Sequence, residues 1–344
     1  MKKSTFLYLL PALAFLSCSE DATNDPLTQE EQKFIQTEEN QNNVEAAYPE
    51  ETGAVQQVFF AGEQMAVEEI NGDYVYEGDI LLPPDMLTSN PIKMIFDEGE
   101  VPTVSRSVGR TSARWPNNTV YYAIDGKLSS QNRVTEAIKH WESKTSLKFV
   151  KRTTQSNYIY FTTGSGCSSY IGMIGGKQNI TVGSSCTTGN TIHEIGHAIG
   201  LWHEQSRVDR DKHVKINYSN IQSGREHNFA TYAQSGFDGK EFTSNLDFNS
   251  IMMYGPYSFS SNGQPTITKL DGNTYSVQRT NLSSGDLQGV SSMYPTGNTT
   301  PSYTNGDTYI VDGLKVLRMY DRWYAYTRYG WKEVRQYQGY WFYA

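Results

Sequence analysis

Three of the chain's six histidines fall within "HEIGHAIGLWHEQ", residues 193–205. His193 and His197 are four apart, so one helical turn puts both imidazoles on one face, where they can chelate one ion. A helix continued to His203 would carry it about 15 Å from His193, at ~1.5 Å per residue. The helix must therefore stop between them, and Gly200 is where it can. Glycine takes positive φ without steric penalty, turns the chain back, and lets His203 reach the ion from a loop. Three neutral imidazole nitrogens are the ligand set of a Zn2+ ion that keeps one further position open for water. Glu194 adjoins the first ligand, placed to take a proton from an attacking water and later pass it to a leaving amine. These residues describe a hydrolytic site with one Zn2+ per chain.

The elements that must carry such a site can be read around it. From Trp115 onward "TVYYAI" alternates like a strand, and "SSQNRVTEAIKHWESKT" has a Ser start with Val134, Ala137, Ile138 and Trp141 at helical spacing. "LKFVKR" and "NYIYFTTG" read as strands, and "LSSGDLQGVSSMY" as a short closing helix whose Ser and Asp supply caps. Strand, helix, strand, strand and then the histidine helix predict an α+β domain, a mixed twisted sheet backed by helices. "PTGNTTPSYTNG" is a linker by composition. Residues 303–344 are rich in Tyr and Trp and carry a hairpin signal, "TYIVDGLKVL", built on Asp312 and Gly313, which predicts a small β module.

At 344 residues and 37% hydrophobic content, the chain suits one main domain with appendages. Its start, "MKKSTFLYLLPALAFLSCSE", pairs two lysines with an apolar run too short to span a bilayer, and 1–18 reads as an export signal. It also resembles a bacterial lipoprotein signal, with Cys18 as the lipid-modified first residue. Phe15 and Leu16 depart from the strict lipobox, which leaves free secretion open beside a lipoprotein of the outer membrane or cell surface. Charge is split: residues 19–105 hold 20 Asp/Glu against 2 Lys, and residues 106–344 hold 25 Lys/Arg against 17 Asp/Glu. An acidic block is usually solvated chain, but opposite charge on the remainder suits an electrostatically assisted pro-segment.

"HEIGHAIGLWH" fits the metzincin pattern H-E-x-x-H-x-x-G-x-x-H, and "HEIGHAIGLWHEQSRVDRD" resembles the astacin family of zinc endopeptidases. The resemblance covers about residues 107–296, through "RWPNNTVYYAI", "CSSYIGMIGGKQNITVGSSC", "HVKINYSNIQSGREHNF" and "YSFSSNGQPTI". It implies a metzincin/astacin-like catalytic domain with a Met-turn C-terminal subdomain. "SIMMYG" matches the Met-turn, which implies that Met252 would lie beneath the metal and that Tyr254 would be a further zinc ligand able to swing away to hydrogen-bond the oxyanion of the transition state. Export leads to an oxidising compartment, where Cys167 and Cys186 pair, and astacin-like enzymes bridge the corresponding cysteines. Such a bridge closes about 20 residues and stabilises by roughly 3 kcal/mol. Many relatives have a second, longer bridge; here Ser146 stands where one of its cysteines is expected, and no cysteine follows "SMYP".

The same resemblance reads "YEGDI", residues 76–80, as the short motif by which astacin-type zymogens place an aspartate, Asp79, on the zinc. Activation then needs a cut near "VSRSVGR", at Arg106 or shortly after. Glu204, following the third histidine, would pair with the freed N-terminal amine. An extended peptide would bind antiparallel to an edge strand at Cys167, Ser168 and Ser169. Arg207, Arg210, Lys212 and Lys215 suit acidic residues after the scissile bond, a preference of this family.

No partner spacing gives His140, His213 or His227 a metal role. The resulting organisation is 1–18 signal, 19–106 acidic tether and pro-segment, 107–296 zinc protease domain, 297–302 linker and 303–344 β module. The expected partners are protein or peptide substrates, no nucleic acid, a membrane only through a lipid anchor, and a glycan or protein ligand for the β module if its aromatics do not simply pack. The alternative is a surface adhesion protein using the protease fold as a scaffold, against which intact Glu194 and all three histidines argue.

Overall fold

Five strands come from the front segment: β1 (Ala54–Phe60), β2 (Glu63–Ile70), β3 (Asp73–Tyr76), β4 (Ile80–Leu82) and β5 (Leu87–Thr88). Five come from the central region: β6 (Thr119–Ile124), β7 (Lys148–Lys151), β8 (Tyr158–Thr162), β9 (Cys167–Tyr170) and β10 (Lys177–Val182). All ten form one sheet in the order β5-β1-β2-β3-β4-β9-β10-β8-β6-β7. The computed structural model describes residues 45–60, 63–84, 87–89, 113–235 and 239–296 and, in the tail, 306, 308–311, 314–319, 322–327, 330–337 and 340–343. The signal with Cys18, the activation region at Arg106 and the linker 297–302 lie outside the described residues.

The front strands β1 to β4 pair antiparallel in sequence, a meander that needs only short turns. In the central region β6 pairs parallel with both β7 and β8, and β10 is parallel to β8 and antiparallel to β9. The parallel step from β6 to β7 requires a crossover, supplied by α1 (Asn132–Lys144). Its buried Val134, Ala137, Ile138 and Trp141 are the positions expected from helical spacing. Its start differs from the expectation: Gln131 sits at the cap without a side-chain bond, and Ser130 is held at φ 51° in the preceding turn.

The second helix, α2 (Thr188–Ala198), is buried from Gly189 to its end and shares the main core with α1, Ile159, Phe161 and Ile180. Thr187 and Asn190 form a reciprocal capping box at its start. The closing helix α3 (Ser284–Met293) starts the same way, on Ser283 and Asp286, as its Ser/Asp-rich start predicts. Between α2 and α3, the pair β11 (Val214–Ile216) and β12 (Ile267–Lys269) anchors a C-terminal subdomain whose core joins Phe229, Met253, Tyr254 and Ile267.

Cys167 and Cys186 are bonded, closing the loop that holds β9 and β10 before α2. Where the second bridge of relatives is missing, hydrogen bonds stand in its place. The Ser146 hydroxyl donates to the Tyr294 carbonyl, and the Asn118 amide donates to Ser146 Oγ (3.1 Å) and the Pro295 carbonyl (3.1 Å).

The tail is a five-stranded antiparallel meander: β13 (Thr308–Val311), β14 (Leu314–Met319), β15 (Arg322–Thr327), β16 (Gly330–Tyr337) and β17 (Tyr340–Tyr343). Val311 opposes Leu314 across the expected hairpin, whose Asp312 and Gly313 lie outside the described residues. Val316, Ala325 and Val334 make a small core with Trp323 packed against it, and Trp331 stays 41% exposed.

Candidate active site

Helix α2 brings His193 and His197 together as their spacing demands, with ring centroids 4.7 Å apart. Gly200 takes φ 109° just beyond the helix end, and His203 returns to 4.6 Å from His197 and 5.3 Å from His193. Met252 packs against the helix at Gly196, where an added Cβ would lie 2.7 Å from its Sδ, so the Met-turn and the helix require a glycine between them.

Asp79 enters this cluster from the front segment. Its Oδ2 lies 3.2 Å from Nε2 of both His193 and His203, and its Oδ1 is 3.7 Å from Nε2 of His197. The four donor atoms lie within 4.8 Å of one another and all four residues are buried. His197 Nε2 and Asp79 Oδ1 have no hydrogen-bond partner despite burial, which buried polar atoms avoid unless another ligand satisfies them. Three imidazole nitrogens and a carboxylate oxygen are the donor chemistry of Zn2+, and the residues fit it. Among the described residues no other such group occurs, and His140, His213 and His227 stand outside it.

Each imidazole is oriented through its other nitrogen. His193 Nδ1–H donates to the Ile251 carbonyl (2.8 Å) and His197 Nδ1–H to the Leu201 carbonyl (2.8 Å). His203 Nδ1–H donates to the Glu77 carboxylate (2.7 Å). These bonds leave Nε2 of each ring facing the metal position.

Glu194 is buried beside the cluster with both carboxylate oxygens unpartnered. Burial first, and then the charges of Asp79 and Glu45, hold its carboxyl well above the usual carboxylate range, against the pull of Arg279. The Tyr254 hydroxyl donates to the Glu77 carbonyl, with its ring 4.6 Å from that of His203. In this chain it therefore bonds the front segment from beside the metal cluster.

Strand β9, expected as a free edge for substrate at Cys167, Ser168 and Ser169, is an interior strand here. β4 pairs with it in parallel, Ile80 opposite Ser169. The Ser169 amide donates to the Asp79 carbonyl (3.0 Å) and the Cys167 amide to the Ala46 carbonyl (2.9 Å). The front segment thus covers the edge in the direction opposite to that expected for a substrate.

Two of the four cations expected to meet substrate are buried. Arg207 is fully buried and bonded to Glu204, Asp209 and Thr243, and Arg210 is buried against the carbonyls of Gln205 and Phe229. Both are structural, while Lys212 and Lys215 are exposed. The arginine that faces the site is Arg279. It forms a bidentate pair with Glu45 of the front segment (2.5 and 2.8 Å) and also donates to the Met253 carbonyl. Glu45 accepts a further bond from Asn190 of α2. A second front-segment carboxylate, Glu68, pairs with Arg225.

Glu45, Glu77, Arg225 and Arg279 had no sequence assignment. Only Glu77 carried a signal, as the charged neighbour of Asp79 within "YEGDI"; the others pair across more than 150 residues with no local spacing to show it. Glu204 lies beside a cavity lined by Thr243, Asp247, Ser250 and Asp286. It accepts from Arg207 (3.3 Å) and from the Asp247 amide (2.8 Å). Burial pushes its carboxyl up to about 8, against the opposing charge of Arg207.

Two histidines on one helix with an adjacent acid, a third histidine after a glycine turn and a methionine against the helix make up a site with the donor set of Zn2+. The chain belongs to the family Astacin (Peptidase family M12A), which matches residues 107–295. It is 40% identical over 233 residues to blastula protease 10 of Paracentrotus lividus, covering 64% of this chain and 38% of that protein. It is 36% identical over 259 residues to flavastacin of Elizabethkingia meningoseptica, covering 69% of this chain and 56% of that protein. The chain therefore spans well under two thirds of these relatives' length. Among solved structures, high choriolytic enzyme 1 (HCE-1), a hatching enzyme zinc-protease of Oryzias latipes, is similar at 27% identity and TM-score 0.48, over 59% of this chain and 98% of that one.

Proposed function

We propose that this chain is a zinc endopeptidase held latent by its own front segment. The observation that carries the reading is the Asp79 carboxylate standing among His193, His197 and His203. A buried acid at that place fills the position that water needs.

When bound, Zn2+ supplies Lewis acidity that polarises a scissile carbonyl and acidifies water. His193, His197 and His203 would hold it, and Asp79 would add a fourth donor in the latent chain. Once the front segment leaves, Glu194 accepts the proton of the attacking water and returns it to the leaving amine. Tyr254, released from the Glu77 carbonyl, would be free to help hold the ion or to donate its hydroxyl hydrogen bond to the oxyanion. The uncovered amides of Cys167 and Ser169 accept an extended peptide as an added strand. Arg279, released from Glu45, gives the cleft a cation for an acidic substrate side chain. Glu204, beside its cavity, pairs with the amine freed near Arg106. The chain is exported from a bacterial cell, lipid-anchored through Cys18 or secreted. The tail is a packing module, with a glycan or protein ligand for its aromatics as the second reading.

The test combines N-terminal sequencing of the activated protein with zinc analysis and cleavage of a peptide library. The expected result is a new terminus near Arg106, one zinc per chain and cleavage that favours acidic residues. An active form that keeps residues 45–82 bound, or a chain with neither zinc nor cleavage, would refute the reading. Removing residues 301–344 and assaying glycan binding apart from hydrolysis tests the tail.

A further inference from the structure

The three histidines differ in what holds them. Nδ1 of His193 and of His197 is fixed by carbonyls of the central region, at Ile251 and Leu201. Nδ1 of His203 is fixed by Glu77, which belongs to the detachable front segment. The third ligand is also the one that no helix constrains, since it lies beyond the turn at Gly200. The orienting bond therefore matters most where the backbone constrains least.

Glu77 is held in an unusual state to make this bond. Its side chain is fully buried, and burying a carboxylate is costly unless it is paired and hydrogen-bonded. Its backbone sits at φ 47°, a left-handed conformation that residues other than glycine rarely adopt. Gly78, next in the chain, also has positive φ (81°), and an added Cβ there would strike the Phe259 ring at 2.8 Å. This turn directs the Glu77 carboxylate to the outer nitrogen of His203, while Asp79 reaches the inner nitrogens of the histidines.

We infer that Glu77 is a positioning residue for the metal site of the latent chain. Its carboxylate accepts the His203 Nδ1–H bond, fixes the tautomer and ring plane of that ligand, and so strengthens metal binding independently of Asp79. The front segment is then a metal-site scaffold as well as a block: it fills the open position and also completes the outer hydrogen bonding of the ligand set. Outer partners of this kind typically contribute 10- to 100-fold in metal affinity. The inference rests on the zinc reading above.

The test uses the full uncleaved chain and Zn2+ in competition with a chromophoric chelator. Glu77→Ala should bind zinc about 10- to 100-fold more weakly than the wild type. Glu77→Gln, whose amide oxygen can still accept from Nδ1–H, should return to within ~3-fold of it. Hydrogen exchange at the Ser169 amide, which bonds the Asp79 carbonyl, reports whether the front segment stays docked. It should stay protected in both variants. Equal zinc affinity in Glu77→Ala and wild type would overturn the proposal. So would a glutamine variant as weak as alanine, or loss of Ser169 protection together with zinc, because either would mean the residue acts through docking or charge. A wild-type chain that binds no zinc would overturn the zinc reading as well, a result distinct from equal binding by all three chains.

Discussion

Around the metal position, the central region works with backbone carbonyls and a covalent bridge, whereas the front segment works with carboxylates and strand pairing. Ile251 and Leu201 orient two histidines, and Cys167–Cys186 secures β9 and β10. The front segment contributes Asp79 to the cluster, Glu77 to His203, Glu45 to Arg279 and Glu68 to Arg225. Backbone groups of a packed core cannot leave without unfolding it, but a strand and its acidic side chains can. The partition is the one the proposed latency requires: residues of the histidine site would persist, and the front-segment groups that meet them would separate.

The largest effect should come from the central region. Glu194→Gln in the activated protein should lower peptide hydrolysis by at least ~10²- to 10⁴-fold. Zinc content should be unchanged, and in the uncleaved chain the Cys167 and Ser169 amides should stay protected. Loss of zinc or of protection would show that Glu194 supports structure as well as chemistry.

On the front-segment side, Glu45→Gln leaves the Arg279 guanidinium buried without its counter-charge, a change that costs about 3–5 kcal/mol for buried pairs. Exchange of the Cys167 amide, whose acceptor is Ala46, should speed up by about 10²- to 10³-fold, while amides within α2 are unaffected. If both speed up together, the two regions unfold as one and the contrast fails.

Acidification should weaken the same contact selectively. Burial opposes ionisation of Glu45, but Arg279 outweighs it and lowers the carboxyl to about 2 from an ordinary 4.5. The stabilisation of docking is complete above pH 4.5 and is lost as pH falls toward about 2, since protonation discharges the pair. Cys167 exchange, corrected for intrinsic rate, should rise through that window in the wild type and stay flat in Glu45→Gln.

The smallest effect concerns the closing strap of the central region. Ser146→Ala removes the bonds to Tyr294 and Asn118, each with a net worth of about 1 kcal/mol. The melting temperature should fall by about 2–4 °C per kcal/mol lost. Reduction of Cys167–Cys186 should cost roughly 3 kcal/mol. A Ser146 effect as large as the disulfide's would mean that the strap replaces a missing bridge fully.

The metal site was legible in sequence because its geometry is local. Four-residue spacing, an adjacent acid and a glycine three residues beyond the second histidine each map to a turn of helix or a turn of chain. The Met252 and Tyr254 register and Asp79 were legible through resemblance to a family pattern, and the structure places all three against the site. Arg207 and Arg210 misled because charge in sequence says nothing of burial; both turn inward to satisfy carboxylates and carbonyls.

By itself, then, the sequence determined which side chains can hold an ion, where the helix carrying them must end, and that the front of the chain is acidic and the remainder basic. Only the tertiary structure decided which acid meets which base. Glu45 finds Arg279 across 234 residues and Glu68 finds Arg225 across 157. It also decided that β4 runs parallel to β9 and that Glu77 reaches His203 from a left-handed turn. Helical spacing is a property of consecutive residues, whereas a buried ion pair is a property of two surfaces brought together by packing, and no local pattern encodes it.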